Sequence, residues 1–227
     1  MYVPEDCYNT IREAQLVILK EILDNGKKIE ETLEINNISI CIRLPLKDTY
    51  KIFENVTPVA AKHMDQMILK SIPNLDKTHY ERLHNWKERK YQSECIKEFK
   101  QLSPISDQIV MMHYDQIKEV IKRLKENPFS KRAVLTLWSP EDVNDEYAMP
   151  WVSSQLMIRE NKLIMTNFFR SLDIWNGFPY NCVGIANLQA DIADRIGVET
   201  GEFIIHIGSA HTYKKHINEI KEYLAKT

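Results

Sequence analysis

Gln155-Leu156-Met157-Ile158-Arg159-Glu160-Asn161-Lys162-Leu163-Ile164-Met165-Thr166-Asn167-Phe168-Phe169 is the stretch on which the fold turns. Two strand-like runs, residues 155–159 and 162–169, flank a short polar pair, Glu160-Asn161, and read as a β-hairpin. Toward the C-terminus, residues 169–173 close the second strand. A Gly/Pro turn over residues 176–181 then opens a helix spanning 180–196, with Ile185, Leu188 and Ile192 at helical spacing and Gly197 as its stop. A strand over 202–207 and a helix carrying Ile217, Ile220 and Leu224 follow.

Toward the N-terminus, Ala133 to Trp138 is a compact strand. Before it, Ser106 or Asp107 caps a long helix carrying Ile109, Met112, Ile117, Val120, Ile121 and Leu124, closed by Asn127-Pro128. A helix over 57–70 ends before Pro73, and residues 38–44 alternate like a half-buried strand. Ile11, Ala14, Ile18 and Ile22 mark a first helix that stops at Gly26. Strands and helices mix without strict alternation. The expected fold is α+β, a large mixed β-sheet flanked by helices, in one domain over residues 1–227.

Apolar residues make up 44% of the 227, enough for a sizeable core. Thirty basic against 32 acidic side chains leave a net charge of -2, so no global field draws the chain to nucleic acid or to an anionic membrane. Cys7, Cys41, Cys95 and Cys182 are scattered, matching neither a zinc site nor a disulfide framework, and no metal is expected. The first thirty residues carry charges from Glu5 onward, and no apolar run approaches the ~18 residues of a membrane span. The expectation is a reduced, cytoplasmic protein.

Polar residues capable of chemistry gather in three places: Arg170, Ser171 and Asp173 at a strand end; Asn176 to Asn181 at a helix start; His211 and Tyr213 just past another strand. Arginine offers a planar fork of donors to phosphate, and serine adds a hydroxyl. The carboxamide of Asn181 places a donor beside an acceptor, matching a pyrimidine edge, while His211 and Tyr213 can hydrogen-bond a sugar hydroxyl. Taken singly, an Arg-x-x-Asp is usually a surface ion pair and an Asn after Pro-Tyr usually a helix cap.

Taken in order, Arg170-Ser171-x-Asp173, Phe178-Pro179-Tyr180-Asn181 and His211-x-Tyr213 resemble the nucleotide-binding signature of thymidylate synthases and deoxycytidylate hydroxymethylases. Residues 127–134 followed by Trp138 resemble the family's stretch ending in two arginines, and residues 79–83 are similar to a segment of its short archaeal-type members. The resemblance covers residues 75–220. It implies a thymidylate synthase-like fold and a transferase of nucleotide biosynthesis. Such an enzyme moves a methyl or hydroxymethyl unit from methylenetetrahydrofolate to C5 of a pyrimidine mononucleotide, as a homodimer. It also implies phosphate contacts from Arg170 and Ser171, joined across the dimer by Lys131 and Arg132. Asn181 would read the base, with Asp173 and Gln155 nearby in the pocket, and His211 and Tyr213 would hold the sugar 3′-hydroxyl.

One departure changes the chemistry. The family carries Pro-Cys several residues ahead of the glutamine matching Gln155, but this chain reads Met149-Pro150-Trp151-Val152-Ser153-Ser154-Gln155. Neither Pro150 nor Trp151 can be a nucleophile. The family's thiolate adds to C6 to activate C5, so its loss should lower the rate by several powers of ten. Cys182 could substitute, Ser153 or Ser154 would need a base, or the chemistry is folate-independent and needs no thiol. A catalytically silent nucleotide-binding paralogue is the remaining reading. His79 or Tyr80 falls near the family position linked to proton removal at C5, and Asp65 is a candidate for the pterin-side acid.

Overall fold

The computed structural model describes residues 7–47, 78–91, 109–146 and 148–227, with only the backbone described at 87–91 and 109–113. The expected helix over 57–70, with Asp65, and Cys95 and the Ser106/Asp107 cap lie outside the described residues.

Six strands form one sheet: β1 (Lys27–Ile29), β2 (Thr32–Ile42), β5 (Val134–Thr136), β6 (Trp151–Arg159), β7 (Lys162–Asp173) and β8 (Glu199–Tyr213). Their order is β1-β2-β8-β7-β6-β5, with β3 (Trp86–Tyr91) and β4 (Ile109–Tyr114) paired separately. All neighbours are antiparallel except β7 and β8, which run parallel and are joined through α4 (Phe178–Ile196). The other described helices are α1 (Ile11–Asn25), α2 (His79–His84), α3 (Gln116–Glu126) and α5 (Ile217–Ala225). The expected α+β fold with a mixed sheet is what the chain adopts.

Local chemistry explains the elements that were read correctly. Glu160 and Asn161 both take positive φ (49° and 60°), the mirror-image turn whose twist matches flanking strands, and pair Arg159 with Lys162. Gly197 (φ 91°) closes α4 in the left-handed conformation, its N–H shared between the Ala193 and Asp194 carbonyls. Isoleucines and leucines of α1 and α4 meet Phe203, Ile205 and Ile207 of β8 in the core. Gln189 is fully buried on α4, and its amide donates to the carbonyl of Leu163 on β7, tying helix to sheet.

Three expectations need correction. The long helix ending at Asn127 begins only at Gln116, capped by Asp115 accepting from the Lys118 N–H, and Ile109 and Met112 belong to β4. The Ile-Val-Met-Met run finds a strand partner in β3, and that pairing overrides the helical spacing. Residues 209–213 lie within β8, not past it, because β2 and β7 pair with it along that length. Cys7 and Cys41 are joined as a disulfide, with Cα atoms 4.7 Å apart. The chain before α1 runs beside the end of β2, Tyr8 bonding to the Cys41 carbonyl and Arg43 to the Tyr8 carbonyl, and this contact brings together thiols 34 residues apart.

The sheet carries one irregularity that crosses several strands. On β8 the helix-facing residues are Phe203, Ile205 and Ile207, then Ala210 and Thr212, so the alternation slips by one at Gly208-Ser209. The same slip occurs on β2 at Asn36-Asn37, where Asn37 takes φ 56°, and on β7 at Arg170-Ser171, between buried Phe169 and Leu172. Pairing aligns these sites, since Ser209 lies across from both Asn36 and Ser171. On β6 the register shifts between Trp151 and Ser153, one row away. A bulge repeated in neighbouring strands bends the sheet and re-aims the side chains beyond it.

Gly208 permits the bend: a Cβ there would stand 2.8 Å from the Arg170 carbonyl oxygen, a backbone atom. Gly208→Ala should therefore cost about 1–3 kcal/mol in urea unfolding, because β7 and β8 must part to accept the methyl. An unchanged midpoint would show that the two strands separate freely at this row.

Candidate functional site

Beyond the bulge line, residues opposite the helices form a polar platform on three strands. Glu34, His211 and Asp173 share one row, and Asn36, Ser209 and Ser171 the next. His211 and Tyr213 project from the same side of β8, their rings edge to face at 5.6 Å. Ser209 Oγ donates to Glu34 Oε2 at 2.5 Å. The Asp173 carboxylate is committed to the turn that follows, accepting from the N–H groups of Trp175 (3.0 Å) and Asn176 (3.3 Å) and from the Asn176 amide (3.0 Å). That Asx-type turn aims α4, because Gly177 N–H then bonds to the Asp173 carbonyl and Asn181 Nδ2 to the Gly177 carbonyl at 2.8 Å.

Hydrogen bonds and register thus link Asn181, Gly177, Asp173 and His211 as near neighbours. Arg170 stands at the bulge itself, exposed, its guanidinium 5.5 Å from the Trp138 ring. Its donors reach Ala148 O (2.6 Å), Met149 O (3.3 Å) and Ser171 Oγ (3.2 Å). Weak, neutral acceptors hold the fork in an extended pose beside Ser171, and an anion would compete for them effectively.

Trp151 fills the place where the nucleophile was sought. It is fully buried, pairs with Phe169, and donates from Nε1 to Ser154 Oγ at 2.9 Å. Ser154 passes the bond to Asn167 Oδ1 (2.6 Å), and Asn167 Nδ2 to the Ile204 carbonyl (3.0 Å). The Ser154 hydroxyl is consumed by this relay and holds no reserve as a nucleophile. Cys182 fares no better. It sits wholly inside the core cluster, and burial pushes its thiol pKa well above the usual range, so it stays protonated.

His79 stacks on Trp151 with ring centroids 5.7 Å apart. Both ring nitrogens are buried, and neither has a hydrogen-bond partner among the described residues. Tyr80 instead stacks on His84, at 4.5 Å. Behind His79, Arg82 makes a buried bidentate pair with Asp142 (2.5 and 2.7 Å) and also donates to the Leu137 carbonyl. Burial first, and the Arg82 charge second, lower the His79 pKa from 6.5 to about 4. Sequence reading flagged His79 but missed the Arg82–Asp142 pair, because nothing in the spacing of two surface-type residues 60 apart announces a buried contact.

Lys131 and Arg132 are exposed between α3 and β5, and Gln155 Nε2 donates to the Lys131 carbonyl at 3.0 Å. A surface cleft lined by Gln116, Lys122, Arg123 and Arg132 takes in one member of the basic pair and none of the platform. Among the described residues no three His, Cys, Asp or Glu stand together as a metal-ligand set, and no helix is long and apolar enough to cross a membrane.

The His79 environment has a consequence for stability. Between pH 6.5 and 4 the unfolded chain binds a proton that folded His79 refuses, so stability is full above pH 6.5 and falls as pH drops toward 4. The total is on the order of 3 kcal/mol. Urea unfolding at a series of pH values should show this acid limb, and His79→Phe should flatten it. A limb of equal slope in the variant would assign it to other groups.

Comparison with known proteins identifies the family. A profile of the family described as thymidylate synthase matches residues 16–227. A relative named thymidylate synthase from Listeria monocytogenes serotype 4a (strain HCC23) is 39% identical over 114 residues, and one from Listeria innocua serovar 6a is 38% identical over 114. Each match covers 50% of this chain and 36% of the relative, so the chain aligns with barely a third of those proteins. With the profile spanning nearly the whole chain, the protein belongs to the thymidylate synthase family.

Proposed function

We propose that the chain binds a pyrimidine mononucleotide and transfers a one-carbon unit, methyl or hydroxymethyl, to its C5 without an enzyme thiolate. The observation that carries this reading is the aligned bulge on adjacent parallel strands, which sets Ser171 across from Ser209 and Asp173 across from His211, with Arg170 at the bulge and Tyr213 two residues past His211. The phosphate lies on Arg170 and Ser171, O3′ against His211 and Tyr213, and the base edge against Asn181. Asn181 Nδ2 spends one donor on the Gly177 carbonyl, which fixes the amide's orientation and turns Oδ1 away from that bond, toward a base N–H. Lys131 and Arg132 reach the phosphate from a second copy.

Methylenetetrahydrofolate is the co-substrate that the family implies. The His79 and Trp151 rings stack on each other in the core, and the imidazole nitrogens have no partner among the described residues. When bound, that donor would supply carbon at the oxidation level of formaldehyde, with water completing a hydroxymethyl product or a hydride from the donor's own reduced pterin a methyl product. The chain's own part is to desolvate the base, hold C5 near His79, and take the proton that C5 loses. Its lowered pKa keeps His79 neutral at physiological pH, with a vacant lone pair but less basic than a solvated imidazole, so proton removal at C5 is slow. Without covalent activation at C6 turnover is slow, by several powers of ten relative to a thiolate enzyme.

The indole wholly buried where the nucleophile belongs favours a second reading, a silent nucleotide-binding paralogue. The two part in one assay. Uridylates and cytidylates tritiated at C5, incubated with and without methylenetetrahydrofolate, should release tritium, and His79→Gln should reduce the release at least tenfold. Binding without any release would leave the silent paralogue.

The homodimer has its own test. The open face of the sheet, opposite the helices, presents Phe168 (43% exposed) and Val134 (44% exposed). Light scattering should give twice the 26.7 kDa chain mass, and Phe168→Glu should give the monomer. A parent chain that runs as a monomer at micromolar concentration would defeat the proposed sharing of Lys131 and Arg132.

A further inference from the structure

Glu34 and Ser209 belong to the polar platform, yet the nucleotide motifs leave them without a task. Glu34 stands directly across from His211 in the antiparallel register, so both side chains share the open face. Ser209 Oγ engages one oxygen of the Glu34 carboxylate, at 2.5 Å in a half-buried contact. An ionised carboxylate accepts at both oxygens, so acceptor capacity remains on the side nearest His211.

We infer that Glu34 reads the sugar, making this a site for pyrimidine ribonucleoside 5′-monophosphates in preference to their 2′-deoxy forms. The inference rests on the nucleotide reading above and specifies its substrate class. With O3′ held by His211 and Tyr213 and the 5′-phosphate toward Arg170 and Ser171, C4′ lies on the β7 flank of His211 and C2′ on the β2 flank, where Glu34 stands. A ribonucleotide presents a hydroxyl donor there, and a deoxynucleotide a methylene. A half-buried carboxylate that loses water against a methylene is left with an unsatisfied acceptor, whereas a 2′-hydroxyl satisfies it. Sites built to bond a hydroxyl discriminate strongly against the analogue lacking it. Ser209 serves as the positioning residue: its hydroxyl holds Glu34 Oε2 and restrains the flexible glutamate, leaving Oε1 for the sugar. Asp173, across the other flank of His211, cannot take the same role, because its oxygens are bound within the turn.

Calorimetric titration of UMP, dUMP, CMP and dCMP into the full chain tests this, with Glu34→Gln and Glu34→Ala titrated alongside and their thermal melts recorded. The parent should bind ribonucleotides roughly tenfold or more tightly than the matching deoxynucleotides. The ratio should shrink in Glu34→Gln and approach one in Glu34→Ala, chiefly through loss of ribonucleotide affinity. Should Glu34→Ala fail to fold, the isosteric Gln variant carries the comparison. Equal or tighter deoxynucleotide binding by the parent overturns the inference alone, as does a ribose preference that survives substitution. No binding of any mononucleotide at millimolar concentration overturns the nucleotide reading, and this inference with it.

Discussion

Two backbones approach each other at one row of the sheet, and the arrangement of the site depends on it. Gly208 on β8 lies so close to the Arg170 carbonyl that a single added carbon would sit 2.8 Å from it. In a regular sheet Ser171, Asp173, Ser209, His211 and Tyr213 would have continued the pleat set by Phe169 and Ile207, and all five would have turned toward the core. The slip at Asn36-Asn37, Gly208-Ser209 and Arg170-Ser171 re-aims three strands together. Buried Leu172, Ala210 and Thr212 then keep the helix side packed. The same constraint leaves Arg170 projecting at the fold line.

The region that elsewhere in the family would hold a thiol is a finished piece of structure, not a gap. A buried indole needs a partner for its N–H, and Ser154 and Asn167 supply one through a relay that ends on a β8 carbonyl. Behind it the Arg82–Asp142 pair is completed by the Leu137 carbonyl and the Ser139 N–H, so a charge that would be costly alone is satisfied on every side. Of these buried groups His79 alone has ring nitrogens without a partner among the described residues.

How much of this was legible in the sequence depended on whether the deciding contact was local. The β6–β7 turn and the Gly197 cap are settled within four residues, and both were readable. The boundary between β4 and α3 was not, since Ile109 and Met112 fit helical spacing with Ile117 and Val120, and only pairing to β3 makes them a strand. The Cys7–Cys41 bond, the Arg82–Asp142 pair and the Glu34–Ser209 contact join residues 34, 60 and 175 apart, and each is made by tertiary packing. The bulge left a faint trace: the doublet Asn36-Asn37 breaks the alternation of β2, and Gly208 interrupts β8 just after its apolar run. Ordered motifs brought Arg170, Asn181, His211 and Tyr213 to notice; they carried no information about Glu34, which enters from the other end of the chain.

The open face of the sheet connects these pieces. Helices cover one side, while the other carries Phe168, Val134 and the Ser39–His206 contact, and runs without interruption into the polar platform. In the proposed dimer a second copy covers that apolar face, and its Lys131 and Arg132 complete the phosphate site beside Arg170. Coverage of the face and binding of the nucleotide are then linked in both directions. Phosphate bound between two copies stabilises the dimer by as much as the dimer strengthens its hold on phosphate. A lysine in the basic pair weakens the geometric part of that coupling but keeps the charge. In this proposal the residues that choose the base and the sugar come from one chain, Asn181 from α4 and the others from strands set by the bulge, so selectivity would belong to the fold and affinity to the assembly.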